Sequence, residues 1–189
     1  MSSQPKYLSG LPLVLLTMAL SLAVFMEVLD TTIANVALPH IAGDLGAATS
    51  QGTWVITSFA VANAISVPLT GWVARRFGEV RLFLTAVLMF VITSWLCGIA
   101  HNLTALILFR TLQGLFTGPL IPLSQSLLLA AYPPHRRHLA LAFWGMTVIT
   151  APILGPIIGG YISDRVQWGW IFFINVPIGI LAFLLARHS

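Results

Sequence analysis

The sequence predicts an all-α membrane protein, a six-transmembrane-helix bundle built as a 3+3 inverted repeat, and three observations lead there. Of 189 residues, 58% are apolar and 7% are charged, with a mean hydropathy of +0.93. A soluble domain carries about a quarter charged residues to cover its surface, and this chain cannot. Six apolar runs, at about 11–37, 53–73, 80–100, 103–127, 139–162 and 169–186, each approach or exceed the ~20 residues that cross a hydrocarbon core of ~30 Å. Runs of that length satisfy their backbone hydrogen bonds in lipid only as helices. Finally, PLTGWVARRFG (68–78) ends the second run and PIIGGYISDRVQWG (156–169) ends the fifth, each with a Pro, a Gly three residues later and a charged pair containing Arg. With three spans between them, these echoes lie on opposite sides of the bilayer, which makes the repeat an inverted one.

The first run follows a leader whose single basic residue is Lys6, is too long for a signal peptide core and precedes further spans; it is predicted to be retained. Breakers separate the others: Pro39 to Ser50 with Gly43 and Gly46, the Arg75, Arg76, Gly78 turn, His101 and Asn102, Pro133 to His138, and Asp164 to Gln167. If residues 1–10 are cytoplasmic, the inner segments hold Lys6, Arg75, Arg76, Arg81, Arg136, Arg137 and Arg187, and the outer ones hold Arg165. That asymmetry predicts two cytoplasmic termini, a tail at 1–10 and a bundle over 11–189.

The net charge of +4 does not indicate nucleic acid, because the basic residues are confined to short connections where they orient spans. No G-x-x-x-x-G-K-[ST], H-E-x-x-H or G-x-S-x-G occurs, so nucleotide-driven and common hydrolytic schemes lack their motifs, and no enzyme or cofactor is expected. His40, His101, His135, His138 and His188 fall in predicted loops or at the tail without metal spacing. Cys97 is the single cysteine and excludes an internal disulfide.

Three charges interrupt the apolar runs: Glu27 and Asp30 in the first, Arg110 in the fourth. Each costs at least ~2.5 kcal/mol at the bilayer centre unless paired or hydrated. At ~1.5 Å per residue, Arg110 is roughly 10 Å below Leu103, and Asp30 and Glu27 are roughly 12 and 16 Å below Leu38. One layer can hold all three, and the two acids share a helix face. The arrangement fits a protonatable carboxylate whose proton affinity is set by burial against a basic neighbour. It also fits a static ion pair tying two helices together. Asp30 is the first choice for the proton carrier and Glu27 the second.

Polar residues recur at helical spacing: Phe59, Asn63, Ser66 and Thr70 in the second run, and Arg110, Gln113, Thr117 and Ser124 in the fourth. They suit the lining of a substrate cavity, and equally hydrogen bonding between helices. The APILGPIIGG stretch (151–160) bends its helix and admits another backbone closely.

These segments resemble the major facilitator superfamily, and within it the fourteen-span drug-to-proton antiporters. LDTTIANVALP (29–39) looks like that group's first-helix signature, FRTLQG (109–114) like the fourth-helix basic motif, LGPIIGG (154–160) like the fifth-helix antiporter motif, and WGWIFFINVPIG (168–179) like the sixth-span signature. QGTWVITSFAVANAISVPLTGW and GPLIPLSQSLLL place the likeness closest to the amino-terminal half of the group's multidrug exporters, and it covers nearly the whole chain.

The resemblance implies half of a major facilitator fold, proton-coupled multidrug efflux across a bacterial inner membrane, and a periplasmic adaptor and outer-membrane channel as partners. It implies that Asp30 couples protons with help from Arg110, and that Gly155, Pro156, Gly159 and Gly160 shape the antiporter helix. The loop motif at Gly71, Arg75, Arg76, Gly78 and Glu79 departs from the pattern: Arg75 stands where the superfamily has Asp, and Glu79 becomes the candidate acid. The family also needs a second bundle, whereas the chain stops at Ser189. A fragment of a longer transporter, or a half that pairs with a carboxy-terminal half, is therefore expected. A non-transporting membrane subunit and an uncoupled metabolite facilitator are the rival readings.

Overall fold

A computed structural model describes residues 7–188; Lys6 of the charge count, and the rest of 1–6 with Ser189, lie outside the described residues. Among the described residues six helices are long and apolar enough to cross a membrane: α1 (Leu11–Asp44), α2 (Thr49–Phe77), α3 (Glu79–Gly98), α4 (Leu103–Ala131), α5 (Pro134–Arg165) and α6 (Trp170–His188). Their starts and stops have local causes. Asn102 caps α4, its side chain accepting from the Ala105 amide at 2.8 Å. Gly78 turns α2 into α3 with φ of 91°, a conformation that glycine adopts without steric penalty.

The helices outrun the apolar segments. Pro39 was expected to break the chain, yet α1 continues through it to Asp44. The amide it lacks would bond the Asn35 carbonyl, and both residues are exposed, where that carbonyl can find other partners. For the same reason His40 and His138 lie in helices and His135 in a 3-10 turn, not in loops; His101 lies in a loop and His188 at the tail, as expected. No group of His, Cys, Asp and Glu able to hold a metal exists among the described residues.

The packing obeys the repeat. α1 lies chiefly against α5 and α6, and α4 chiefly against α2 and α3; α3 meets α6, and α1 meets α4. Exchanging 1 with 4, 2 with 5 and 3 with 6 maps this pattern onto itself. The echo noted in sequence falls on the equivalent pair: α2 ends at Phe77 and α5 at Arg165, each nine residues beyond its Pro68 or Pro156. α1 and α4 thus form the centre, with α2 and α5 outermost and least covered.

Two apolar clusters fill the bundle. One gathers Leu20, Met26, Phe83, Phe90 and Leu120; the other gathers Leu29, Ile33, Ile41, Leu106 and Phe172. The intramembrane acids Glu27 and Asp30 fall on α1 between Met26 of the first and Ile33 of the second.

Glycines set the close approaches. A Cβ on Gly114 would collide with the Phe59 carbonyl of α2, and one on Gly155 with the Thr32 side chain of α1, while one on Gly159 would come within 3.2 Å of Ile33. Gly160 faces open space. Gly114→Ala and Gly155→Ala should therefore each cost ~1–3 kcal/mol by overpacking. Gly160→Ala, relieved of glycine's helix penalty, should be neutral or stabilising by up to ~1 kcal/mol. Thermal denaturation of the detergent-solubilised protein checks the contrast.

Candidate functional site

The site begins with a charge that the fold must accommodate. Arg110, on the central face of α4, is fully buried. One Nη donates to Asp30 Oδ2 of α1 at 2.6 Å and to Gln113 Oε1 at 2.7 Å, and Nε donates to the Val55 carbonyl of α2 at 3.3 Å. The guanidinium lies 4.1 Å from the Phe59 ring and 5.5 Å from the Phe172 ring, so two aromatic faces receive the cation where hydrogen bonds run out. Its second Nη has no hydrogen-bond partner.

Asp30 is satisfied from two helices. Besides Arg110, its Oδ1 accepts from Asn175 of α6 at 2.7 Å and from Gln113 of α4 at 3.4 Å. Asn175 also bonds Ser94 of α3 at 2.9 Å, and Ser94 donates to the Phe172 carbonyl at 2.9 Å. The Cys97 thiol approaches Gln113 Oε1 at 3.6 Å. The result is a polar layer drawing on α1, α2, α3, α4 and α6, in which the second Arg110 Nη and Asn175 Oδ1 have no partner. Such a layer is held strongly, since charged hydrogen bonds are about twice as strong as neutral ones, and a partner lost from a buried pair leaves a bare charge.

Glu27 belongs to the same helix face but to different company. It is 5% exposed, and its Oε1 accepts from Asn63 of α2 at 3.5 Å, a long contact. Its Oε2 has no hydrogen-bond partner. The two acids predicted for one layer are therefore one clamped and one nearly free.

The polar stripes divide likewise. Phe59 and Gln113 join the Arg110 layer, and Asn63 faces Glu27. Ser66 bonds across to the Leu115 carbonyl at 2.6 Å, whereas Thr70 and Thr117 bond back to their own helices at Ser66 and Gln113. Ser124 accepts from Trp144 of α5 at 3.0 Å. Ser66 and Ser124 thus link helices, as intramembrane Ser and Thr commonly do, and Ser66 and Thr70 also line a cavity beside Leu69 and Pro119. In the loop motif, Glu79 Oε2 accepts from Ser126 of α4 at 2.9 Å. Gly71, Arg75, Glu79 and Ser126 line a cavity of 340 Å³ at that end of the bundle.

Asn175 and Ser94 were not singled out from the sequence as site residues. A polar residue in the middle of an apolar run is the available signal; Asn175 lies within the sixth-span motif, and Ser94 is an unremarkable serine until α6 packs on it.

The family model of the Major Facilitator Superfamily matches residues 20–188. The chain is 68% identical over 179 residues to "Multidrug export protein EmrB" of Haemophilus influenzae, covering 95% of this chain and 35% of that protein. It is 69% identical over 182 residues to "Fatty acid resistance protein FarB" of Neisseria gonorrhoeae, covering 96% and 36% respectively. The chain thus spans just over a third of the length of these relatives. The crystal structure of peptide transporter POT in complex with sulfate superposes with a TM-score of 0.83 at 18% identity, over 97% of this chain and 39% of that one. At that identity the likeness speaks for the fold alone.

Removing one partner of the buried pair should be costly. Arg110→Gln is expected to lose ~3–5 kcal/mol, and the double replacement with Asp30→Asn should recover a large part of the loss. Thermal unfolding of the single and double variants in detergent measures the coupling.

Proposed function

The chain belongs to the major facilitator superfamily, and from that premise we propose that it is the amino-terminal six-span half of a proton-coupled multidrug exporter in a bacterial inner membrane. Its high identity to a multidrug export protein and to a fatty acid resistance protein supports hydrophobic toxic compounds as the substrates. The observation that carries the coupling is the buried layer in which Asp30 meets Arg110 at 2.6 Å, with Glu27 one turn away. Soluble cores are usually served better by apolar packing than by such a pair, and an ionisable group inside the membrane is by default a functional one.

In this reading, Asp30, Glu27 and Arg110 couple proton movement to alternating access. Phe59, Asn63 and Gln113 bound the cavity side of the layer. Gly155, Pro156, Gly159 and Gly160 form the antiporter helix, in which Gly155 and Gly159 press on Thr32 and Ile33 and seal one leaflet against leak. Glu79 with Ser126 links α3 to α4 at the cytoplasmic end. Both termini are cytoplasmic, on the bias of Arg75, Arg76, Arg81, Arg136, Arg137 and Arg187 against Arg165. A carboxy-terminal half completes the cavity, and a periplasmic adaptor and outer-membrane channel extend the route.

The energetics are adequate. One proton crossing 100 mV releases ~2.3 kcal/mol, enough for roughly a fifty-fold substrate gradient. Asp30→Asn in the full exporter should abolish substrate-dependent proton flux in liposomes carrying a pH gradient. Wild-type flux in that variant would remove Asp30 from the mechanism.

A further inference from the structure

Two buried acids one helical turn apart have opposite surroundings, and the difference divides their work. Asp30 is engaged at both oxygens: Arg110 holds Oδ2 at 2.6 Å, and Asn175 and Gln113 hold Oδ1 at 2.7 and 3.4 Å. These donors come from α4 and α6, and Arg110 is itself fixed by Gln113, Val55 and two aromatic rings. A proton added to Asp30 must displace a charge-assisted hydrogen bond and leave the guanidinium bare. Buried hydrogen-bonded groups resist that exchange.

Glu27 has no such restraint. Among the described residues no cation lies within ion-pair distance of it; its one donor is the Asn63 amide at 3.5 Å, and Oε2 has none. The other buried charged groups are Asp30 and Arg110, which are committed to each other. α2 offers the neutral Asn63, α4 offers Arg110 and Gln113, and α3 and α6 spend Ser94, Cys97 and Asn175 on the Asp30 layer. Asn63 is half-buried between the exposed residues Val61 and Ala64. Glu27 is thus the buried acid that no cation holds, one turn from the Asp30 layer and next to the half-buried Asn63.

We infer that Glu27 is the acid that takes up and releases the transported proton, and that Asp30 is a permanent anchor for Arg110 that positions it. The inference rests on the proton-coupled reading above and goes beyond it by assigning separate roles to the two acids. In the exchange step the proton bonds to a Glu27 carboxylate oxygen from one side of the membrane and leaves that oxygen to water on the other. No bond to carbon changes.

The test uses the full exporter in liposomes with a pH gradient, with substrate-dependent proton flux and thermal midpoint read for each variant. Glu27→Gln should keep a wild-type midpoint, since it removes no ion pair, and should lose the proton flux. Asp30→Asn should lose flux and also show a lowered midpoint. Glu27→Asp, which keeps an acid one methylene further back, should retain flux with a displaced pH profile. Wild-type flux in Glu27→Gln with loss in Asp30→Asn would overturn the assignment and leave the exporter reading intact. Flux retained in both would also overturn the assignment, whereas no substrate-dependent proton flux in the unmodified exporter would bring down the exporter reading itself. A midpoint in Glu27→Gln as low as in Asp30→Asn, or a wild-type pH profile in Glu27→Asp, would also overturn the assignment.

Discussion

The fold is organised by the cost of one guanidinium in hydrocarbon. Arg110 cannot remain in the middle of α4 without an anion, and the available anion is Asp30 on α1. Meeting that demand brings the two central helices of the two repeats together in register. The residual capacity of each partner then recruits the rest: Gln113 from the same helix, Val55 and Phe59 from α2, Asn175 from α6 and, through it, Ser94 from α3. α5 alone contributes nothing polar to this layer among the described residues. Apolar packing in lipid gives little preference for one helix arrangement over another, since lipid tails are as apolar as Leu. A polar network of fixed geometry supplies that preference.

Much of this was legible in the sequence. Span number followed from apolar length, and the meeting of Asp30 with Arg110 followed from their similar depth, because a rise of 1.5 Å per residue turns sequence position into height. Helix ends were less legible. Hydropathy reports where lipid begins, whereas the hydrogen-bonded ladder of α1 runs on past Pro39 into polar residues. The separation of Glu27 from Asp30 was illegible for another reason. Spacing of three residues places both on one face, but which neighbour each meets depends on how α2 and α6 are rotated, and that is decided by contacts such as Gly114 on Phe59. The hydroxyls at Ser66, Thr70, Thr117 and Ser124 show the same limit, since helical spacing alone does not distinguish a cavity stripe from a packing stripe.

The duplicated plan also explains why α2 and α5 carry the matching Pro and Gly pattern. Each lies outside a central helix from the other repeat, α2 against α4 and α5 against α1. The close approach is made by Gly114 of α4 on the Phe59 carbonyl of α2 in one pair, and by Gly155 of α5 on Thr32 of α1 in the other. The equivalent positions of Pro68 and Pro156 relative to their helix ends are what a copied unit leaves behind after its other side chains have diverged.

The two copies are nevertheless fastened differently. α2 is pinned to α4 through directional bonds, from Ser58 to the Ile107 carbonyl, from Ser66 to the Leu115 carbonyl and from Arg110 to the Val55 carbonyl. α5 meets α1 over its glycines, while the Thr32 hydroxyl is spent on its own helix at Val28 and Leu29; among the described residues the polar link between these two helices is the exposed His40 and Asp164 pair. Dispersion, unlike a hydrogen bond, has no preferred direction. One flank of the bundle is thus riveted and the other greased, so a shear displacement breaks fewer bonds along α5 than along α2.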